Sequence, residues 1–335
     1  MKPKLTKLKK NLLIAGLAFA IFVVLAAGSF SALNLTFNSQ QTFGVTFSKP
    51  YAEEFKLEPN EVLTATLDDL GVRRFRIPAY WSLIETKQGI LDWSWLDSEL
   101  DIIAKRDGKV VLAIGQKLPR WPECWIPDWA IKTSEADREK AASAYLEQTI
   151  NRYKNNSTII SWQIENEPGF TFGVCPQMRK GFFDDEVKLV RSLDDRPIAT
   201  TDSGELAFWS IGNKVDQLGV SVYRVVIGPL GTLRYWFVPP QFYLRKGQAM
   251  SALWGFKKIY ISELQMEPWT KRSTLLETPL DEQMQTFDLK QMNDNIDFAK
   301  NSGISTIDLW GVEWWYWMKT VNNRPEFWDA TKTLF

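Results

Sequence analysis

The sequence predicts an α/β chain folded as a single eightfold (β/α)8 (TIM) barrel. Short apolar runs alternate with helical patterns without a break from residue 42 to 335, eight such runs can be counted, and no Ser/Gly/Pro-rich linker or repeat divides them. The runs are apolar at nearly every position, as strands covered on both faces should be. A chain of 335 residues, 45% of them hydrophobic, is large enough to bury a barrel core.

Taken in order, the predicted strands are Thr42–Phe47, Val72–Pro78, Val110–Gln116, Ile159–Asn166, Ile198–Asp202, Leu218–Tyr223, Ile259–Glu263 and Thr306–Trp310. Pro59 opens the first long helix and Gly71 closes it; Ser94 with Asp97 opens the next, which Gly108 ends; Ser134 with Asp137 caps the third. Helical patterns also run from Met178 to Leu193, from Glu282 to Lys300 ahead of Gly303, and over a short stretch from Phe327 to Leu334. The least regular part, Val225 to Gly255, follows the sixth strand. It reads as a packed loop with a covering helix, or as a wall beside a cleft or the membrane surface.

The N-terminus is a separate object. Lys2, Lys4, Lys7, Lys9 and Lys10 precede an uncharged apolar run, Leu12 to Ala27, the pattern of an export signal or membrane anchor. Ala26-Ala27-Gly28 and Ser29-Phe30-Ser31 would serve for cleavage, while the length of the run favours a retained anchor. Residues 1–33 are therefore expected to be a basic stub with an anchor or signal peptide, and 34–335 an extracytoplasmic catalytic domain, membrane-tethered or secreted. Cys124 and Cys175, the only cysteines, both fall in loops after adjacent strands, and in an oxidising compartment they are candidates for a disulfide.

Composition excludes several chemistries. Lysine plus arginine and aspartate plus glutamate both total 40, so no overall field draws in nucleic acid, and no basic stripe does so locally. Histidine is absent, which removes imidazole acid–base catalysis, Ser-His and Cys-His nucleophiles, and His-ligated zinc. Carboxylates must carry any proton transfer. No metal-ligand cluster or cofactor motif is evident. Sixteen tryptophans, many just past predicted strands, offer flat faces suited to sugar rings as well as to core packing.

Two strings then stand out: Trp162-Gln163-Ile164-Glu165-Asn166-Glu167-Pro168-Gly169 and Tyr260-Ile261-Ser262-Glu263. Each puts a carboxylate at the end of an apolar strand, where this fold gathers its functional groups. A pair of carboxylates facing each other across the mouth is the arrangement that cleaves glycosidic bonds. Glu165 and Glu267 are the rival carboxylates.

These strings resemble those of the clan A glycoside hydrolases, retaining enzymes on eightfold barrels. The resemblance runs from the first strand to the last. It implies Glu167, after Asn166, as acid/base and Glu263 as nucleophile, with a carbohydrate substrate and no cofactor. It further implies that Arg76, in Phe75-Arg76-Ile77-Pro78, braces the nucleophile, that Tyr223 hydrogen-bonds it, that Asn166 holds the sugar 2-hydroxyl, and that Trp310 floors the sugar subsite. Tyr80-Trp81-Ser82-Leu83-Ile84-Glu85 and Leu91-Asp92-Trp93-Ser94-Trp95-Leu96-Asp97 make family 42 β-galactosidases the most similar family, with family 5 close behind. Gln116 and Ser221 stand where many members carry histidine, so the sugar cannot be transferred from a family. Trp81, Trp121, Trp125 and Trp314 are further subsite candidates. A carbohydrate-binding protein on an inactive barrel, or a transglycosylase, are the alternatives.

Overall fold

The computed structural model describes residues 41–205, 207–228, 231–256, 258–270 and 274–335. Eight parallel strands close a barrel: β1 (Thr42–Thr46), β2 (Arg74–Pro78), β3 (Lys109–Ile114), β4 (Ile159–Ile164), β5 (Ile198–Asp202), β6 (Gln217–Val222), β9 (Lys258–Gln265) and β10 (Thr306–Trp310). Strand β10 pairs back onto β1 with Phe43 opposite Ile307 and Val45 opposite Leu309, which leaves no open edge. The other two strands, β7 (Val225–Gly228) and β8 (Gly231–Arg234), form an antiparallel hairpin beyond β6. That hairpin and the helix Phe242–Trp254 occupy the stretch that lacks a clear pattern in the sequence.

The helices bury one stripe each. In Ser94–Ala104 the buried residues Leu96, Leu100 and Ile103 recur at helical spacing, and in Glu135–Tyr153 the stripe is Ala142, Tyr145, Leu146, Thr149, Ile150 and Tyr153. The cap at Ser134 is present, its hydroxyl accepting from the Asp137 amide at 3.2 Å. The expected cap at Ser94 is not. Ser94 is already inside the helix, its amide bound by Asp92, and Asp97 instead takes Arg152 and Tyr153. The long predicted helix Glu282–Lys300 is two helices, Leu280–Thr286 and Leu289–Lys300, because Asp288 caps the second through the Gln291 amide.

Among the described residues no helix is long and apolar enough to cross a membrane. The apolar run from Leu12 to Ala27 lies outside them.

Candidate active site

Strand β4 ends at Ile164, two residues earlier than the sequence suggests, and the chain then turns sharply. Glu165 and Glu167 both take positive φ, 56° and 46°. This conformation is uncommon for residues with a Cβ and is held here by neighbours. Glu165 points inward, its oxygens accepting from the amides of Gln116 at 2.7 Å and Lys117 at 2.6 Å. Gly115, at φ 134°, makes room for it, since a Cβ there would lie 2.4 Å from Glu165 Oε1. Glu165 is thus a strut between the ends of β3 and β4. The same turn sends Asn166 and Glu167 towards the barrel mouth.

On the opposite wall, β9 shifts register against both neighbours. Val220 pairs with Ile261 but Ser221 with Glu263, and the pairing with β10 slips between Ile307 and Leu309. An extra residue in a strand re-aims the side chain that follows it. Here that side chain is Glu263. Its Oε1 accepts from Arg76 Nη1 at 2.8 Å and its Oε2 from the Tyr223 hydroxyl at 2.9 Å.

Arg76 is fully buried and joins the two walls. Besides Glu263 it donates to Gln163 Oε1 at 2.7 Å and to Asn166 Oδ1 at 2.6 Å. Thr201 also donates to Asn166 Oδ1, at 2.8 Å, so the amide oxygen is committed and the nitrogen is the group left to face the cavity. That nitrogen reaches Glu123 Oε2 at 3.3 Å. Glu167 is held by its own backbone, its amide donating to Thr201 Oγ1 at 2.8 Å, and Ser221 Oγ donates to its Oε1 at 2.5 Å. Burial, and after it the neighbouring Glu263, pushes the Glu167 carboxyl up to about 7.

Asn166, Glu167, Ser221, Tyr223 and Glu263 line one cavity of about 670 Å³ at the strand ends, together with Arg120, Glu123, Glu267, Trp269 and Trp310. A second hollow of similar volume, about 650 Å³, lies on the helix Pro59–Asp68 and gathers no comparable set of groups. The cavity's rim is aromatic. Phe172 meets Trp121, Phe170 and Trp269, and Trp269 meets Tyr223, at ring separations of 5.2 to 6.2 Å. Trp121, 61% exposed, presents most of its surface. A disulfide between Cys124 and Cys175, Cα atoms 5.2 Å apart, ties the loop after β3 to the loop after β4 behind this rim.

Trp310 forms another part of the wall, with the Arg120 guanidinium 3.9 Å from its ring centroid and 3.6 Å from that of Tyr51. Buried Arg120 also bridges Glu267 and Glu313, the latter at 2.9 Å. Glu267 therefore lines the cavity as half of an ion pair, not as a free carboxyl.

The structure thus gathers Asn166, Glu167, Tyr223, Glu263, Trp310 and Trp121 around one space, with Arg76 buried behind it and bonded to Glu263 and Asn166. Four expected residues stand elsewhere. Trp81 is a correction: it is wholly buried, its indole donates to Glu85 Oε2 at 2.7 Å, and it packs on Trp129 and Tyr145. It begins a short helix, Trp81–Ile84, that caps the core beside β2. Trp314 is likewise core, its indole donating to Gln283. Gln116 is buried at the end of β3 and serves through its backbone, binding Glu165 and Trp125; its side chain is not among the cavity walls. Trp125 packs against Tyr80, its ring tilted by 44°, outside the cavity. Glu123, Arg120 and Trp269 are the residues that sequence reasoning misses.

Comparison with known proteins bears on this arrangement. The model of the glycoside hydrolase 42 family, described as β-galactosidase, matches residues 64–195, a span that holds Arg76, Asn166 and Glu167 and stops short of Glu263. The chain is 25% identical over 182 residues to the β-galactosidase BgaA of Clostridium cellulovorans, which is 48% of this chain and 28% of that protein. Against the β-galactosidase Bga of Halorubrum lacusprofundi it is 25% identical over 169 residues, 44% and 23% of the two. The match spans less than a third of either relative.

Among solved structures, the β-galactosidase from the psychrophilic Marinomonas ef1 superposes with a TM-score of 0.54 at 15% identity, over 80% of this chain and 54% of that one. The GH5_18 protein of Bifidobacterium longum gives 0.58 at 10% identity, over 81% and 70%. These superpositions speak for the eightfold barrel. The family match covers the second, third and fourth strands of that barrel.

Proposed function

We propose that this protein is a retaining β-glycosidase with Glu263 as nucleophile and Glu167 as acid/base. The observation that carries the proposal is the unlike treatment of two carboxyls in one cavity. Glu263 receives a guanidinium on one oxygen and a phenol on the other, which suits a carboxylate. Glu167, buried beside it, keeps its proton to about pH 7. Environments that separate two carboxyls in this way assign the acid and the nucleophile.

In the first step Glu263 attacks the anomeric carbon as the Glu167 proton passes to the departing oxygen, leaving a glycosyl ester on Glu263. In the second, Glu167, now a base, takes a proton from water; the resulting hydroxide oxygen bonds the anomeric carbon and Glu263 leaves. The Asn166 amide nitrogen is placed to donate to the sugar 2-hydroxyl, a bond that strengthens in the transition state. Aromatic faces of Trp310 and the rim would stack on sugar rings. The names of its relatives make β-galactosides the first substrates to try.

The test is trapping with a 2-deoxy-2-fluoro glycoside bearing a good leaving group, followed by peptide mapping. Label on Glu263 is expected; label on any other residue refutes the assignment. Localisation belongs to the same proposal: residues 1–33 form an export signal or anchor and the barrel works outside the cytoplasm. Its supports are the lysine-flanked apolar run and the disulfide, a bond that persists in oxidising compartments. Recovery of the protein in the reducing cytosol would overturn it.

A further inference from the structure

Glu123 is a third carboxyl at the mouth, and the chain goes to unusual lengths to put it there. It sits in the loop after β3 at φ 73°, three residues after Arg120 at φ 80°. Two positive-φ residues with side chains in one short loop represent strain that the surroundings must hold. They do so on every side. The Glu123 amide donates to Arg120 O at 2.8 Å, its carbonyl accepts from the Leu118 amide at 2.7 Å, and Lys117 bridges to Cys124. The next residue, Cys124, is bonded to Cys175. Gly173, on the partner loop, passes so close that a Cβ there would lie 2.4 Å from Glu123 Cβ.

All this brings one carboxyl, buried to 7% exposure, against the Asn166 amide nitrogen inside the cavity that holds Glu167 and Glu263. Neither step of the double displacement uses it. A buried carboxyl in the company of two others is costly, and burial, followed by the charge of Glu263, pushes it up to about 8. A carboxyl that keeps its proton can both donate and accept hydrogen bonds, as sugar hydroxyls also do.

We propose that Glu123 is a specificity residue that binds the sugar hydroxyl at C3, beside the 2-hydroxyl held by Asn166. The assignment rests on the retaining-glycosidase reading above and on ring chemistry. With C1 at Glu263 and the C2 hydroxyl at Asn166 Nδ2, the group next to Asn166 meets the next substituent round the ring. Glu123 Oε2 orients Asn166, and Oε1 remains for the substrate. The substrate class follows: sugars with a free hydroxyl at C3 in the cleaved unit, which excludes interior units of 1,3-linked polymers.

The test is a cycle of protein and substrate changes, using 4-nitrophenyl β-galactoside, or whichever aryl β-glycoside the protein cleaves fastest, and its 3-deoxy analogue. A site built around a hydroxyl strongly rejects the analogue that lacks it, so the native protein should lose at least ~100-fold in kcat/KM on the 3-deoxy substrate. In Glu123→Ala that penalty should shrink to less than ~5-fold, because the partner is gone. Glu123→Gln, which keeps the shape and one donor, should fold like the native protein and show an intermediate penalty. A role confined to holding the loop would lower activity on both substrates and leave their ratio alone. An undiminished 3-deoxy penalty in Glu123→Ala, or none in the native protein, overturns the proposal. Trapping on Glu263 separates the two readings: label there with a flat cycle sinks only the role of Glu123, and no label with no turnover sinks both.

Discussion

Replacing Ser221 with alanine should widen the alkaline range of the proposed glycosidase activity, an unusual outcome for a change inside such a site. Ser221 Oγ donates to Glu167 Oε1 at 2.5 Å, and both residues are buried. A hydrogen bond from a neutral donor to a carboxylate favours the charged form, so its removal must raise the carboxyl further. Such a bond is worth about 1.5–3 kcal/mol and one pKa unit about 1.36 kcal/mol, giving roughly one to two units with little screening at this depth. Glu167 must be protonated to assist the leaving group, so kcat/KM falls as pH rises through its value, about 7. In Ser221→Ala that limb should move to roughly pH 8–9. The assay is kcat/KM against pH from 4 to 10 on an aryl β-glycoside. Glu123 titrates near 8 in the same cavity, so the limb belongs to the coupled set. Repeating the comparison in a Glu123→Gln background should return a shift of the same size. A limb that stays put, or moves to lower pH, refutes the reasoning.

Glu167→Ala should lose far more activity on substrates with poor leaving groups than on nitrophenyl glycosides, about 10²-fold or more against a small loss, since only the former need a proton; equal losses would contradict its role. Arg120→Met should destabilise the fold by ~3–5 kcal/mol in urea denaturation, because Glu267 and Glu313 would be left buried without their cation; a change under ~1 kcal/mol would show that water compensates there. Thermal stability should fall as pH rises from about 5 to 8. Glu123 at about 8, Glu167 at about 7 and Glu313 at about 7 all lie above the ordinary 4.5, so in that window the folded state binds more protons than the unfolded one. A melting temperature that climbs over the same range would mean that these carboxyls ionise freely in the folded protein.

What the sequence discloses about this site is the part carried by strands. Arg76, Asn166, Glu167, Tyr223, Glu263 and Trp310 lie on or just beyond apolar runs, and once the runs are counted the barrel brings their ends together. Loops carry no periodicity, and there the reading fails. Glu123 and Arg120 are placed by positive φ values and a cross-loop disulfide, which no hydrophobic pattern announces. The cue available was Arg120-Trp121-Pro122-Glu123-Cys124 itself: a proline turn beside a cysteine expected to be bonded, with a charged residue between them. Trp81 fails for a different reason. Tryptophan is equally at home on a sugar and in a core, and the indole donor that could mark a binding role is here satisfied by Glu85 within the same short segment. The break at Asp288 also escapes pattern reading, since apolar spacing continues through it on both sides.

The β7–β8 hairpin rests on Gln265, whose side chain accepts from the Val225 amide at 2.9 Å and donates to the Val225 carbonyl at 2.8 Å. Gln265 is two residues beyond Glu263 on the same strand. The hairpin is therefore a panel fastened through Gln265 to the strand that carries Glu263. Val226, Ile227 and Tyr235 form one side of the cleft, so substitutions at these three positions should reshape that side. For anyone redirecting this scaffold to a new sugar, that panel is the place to begin.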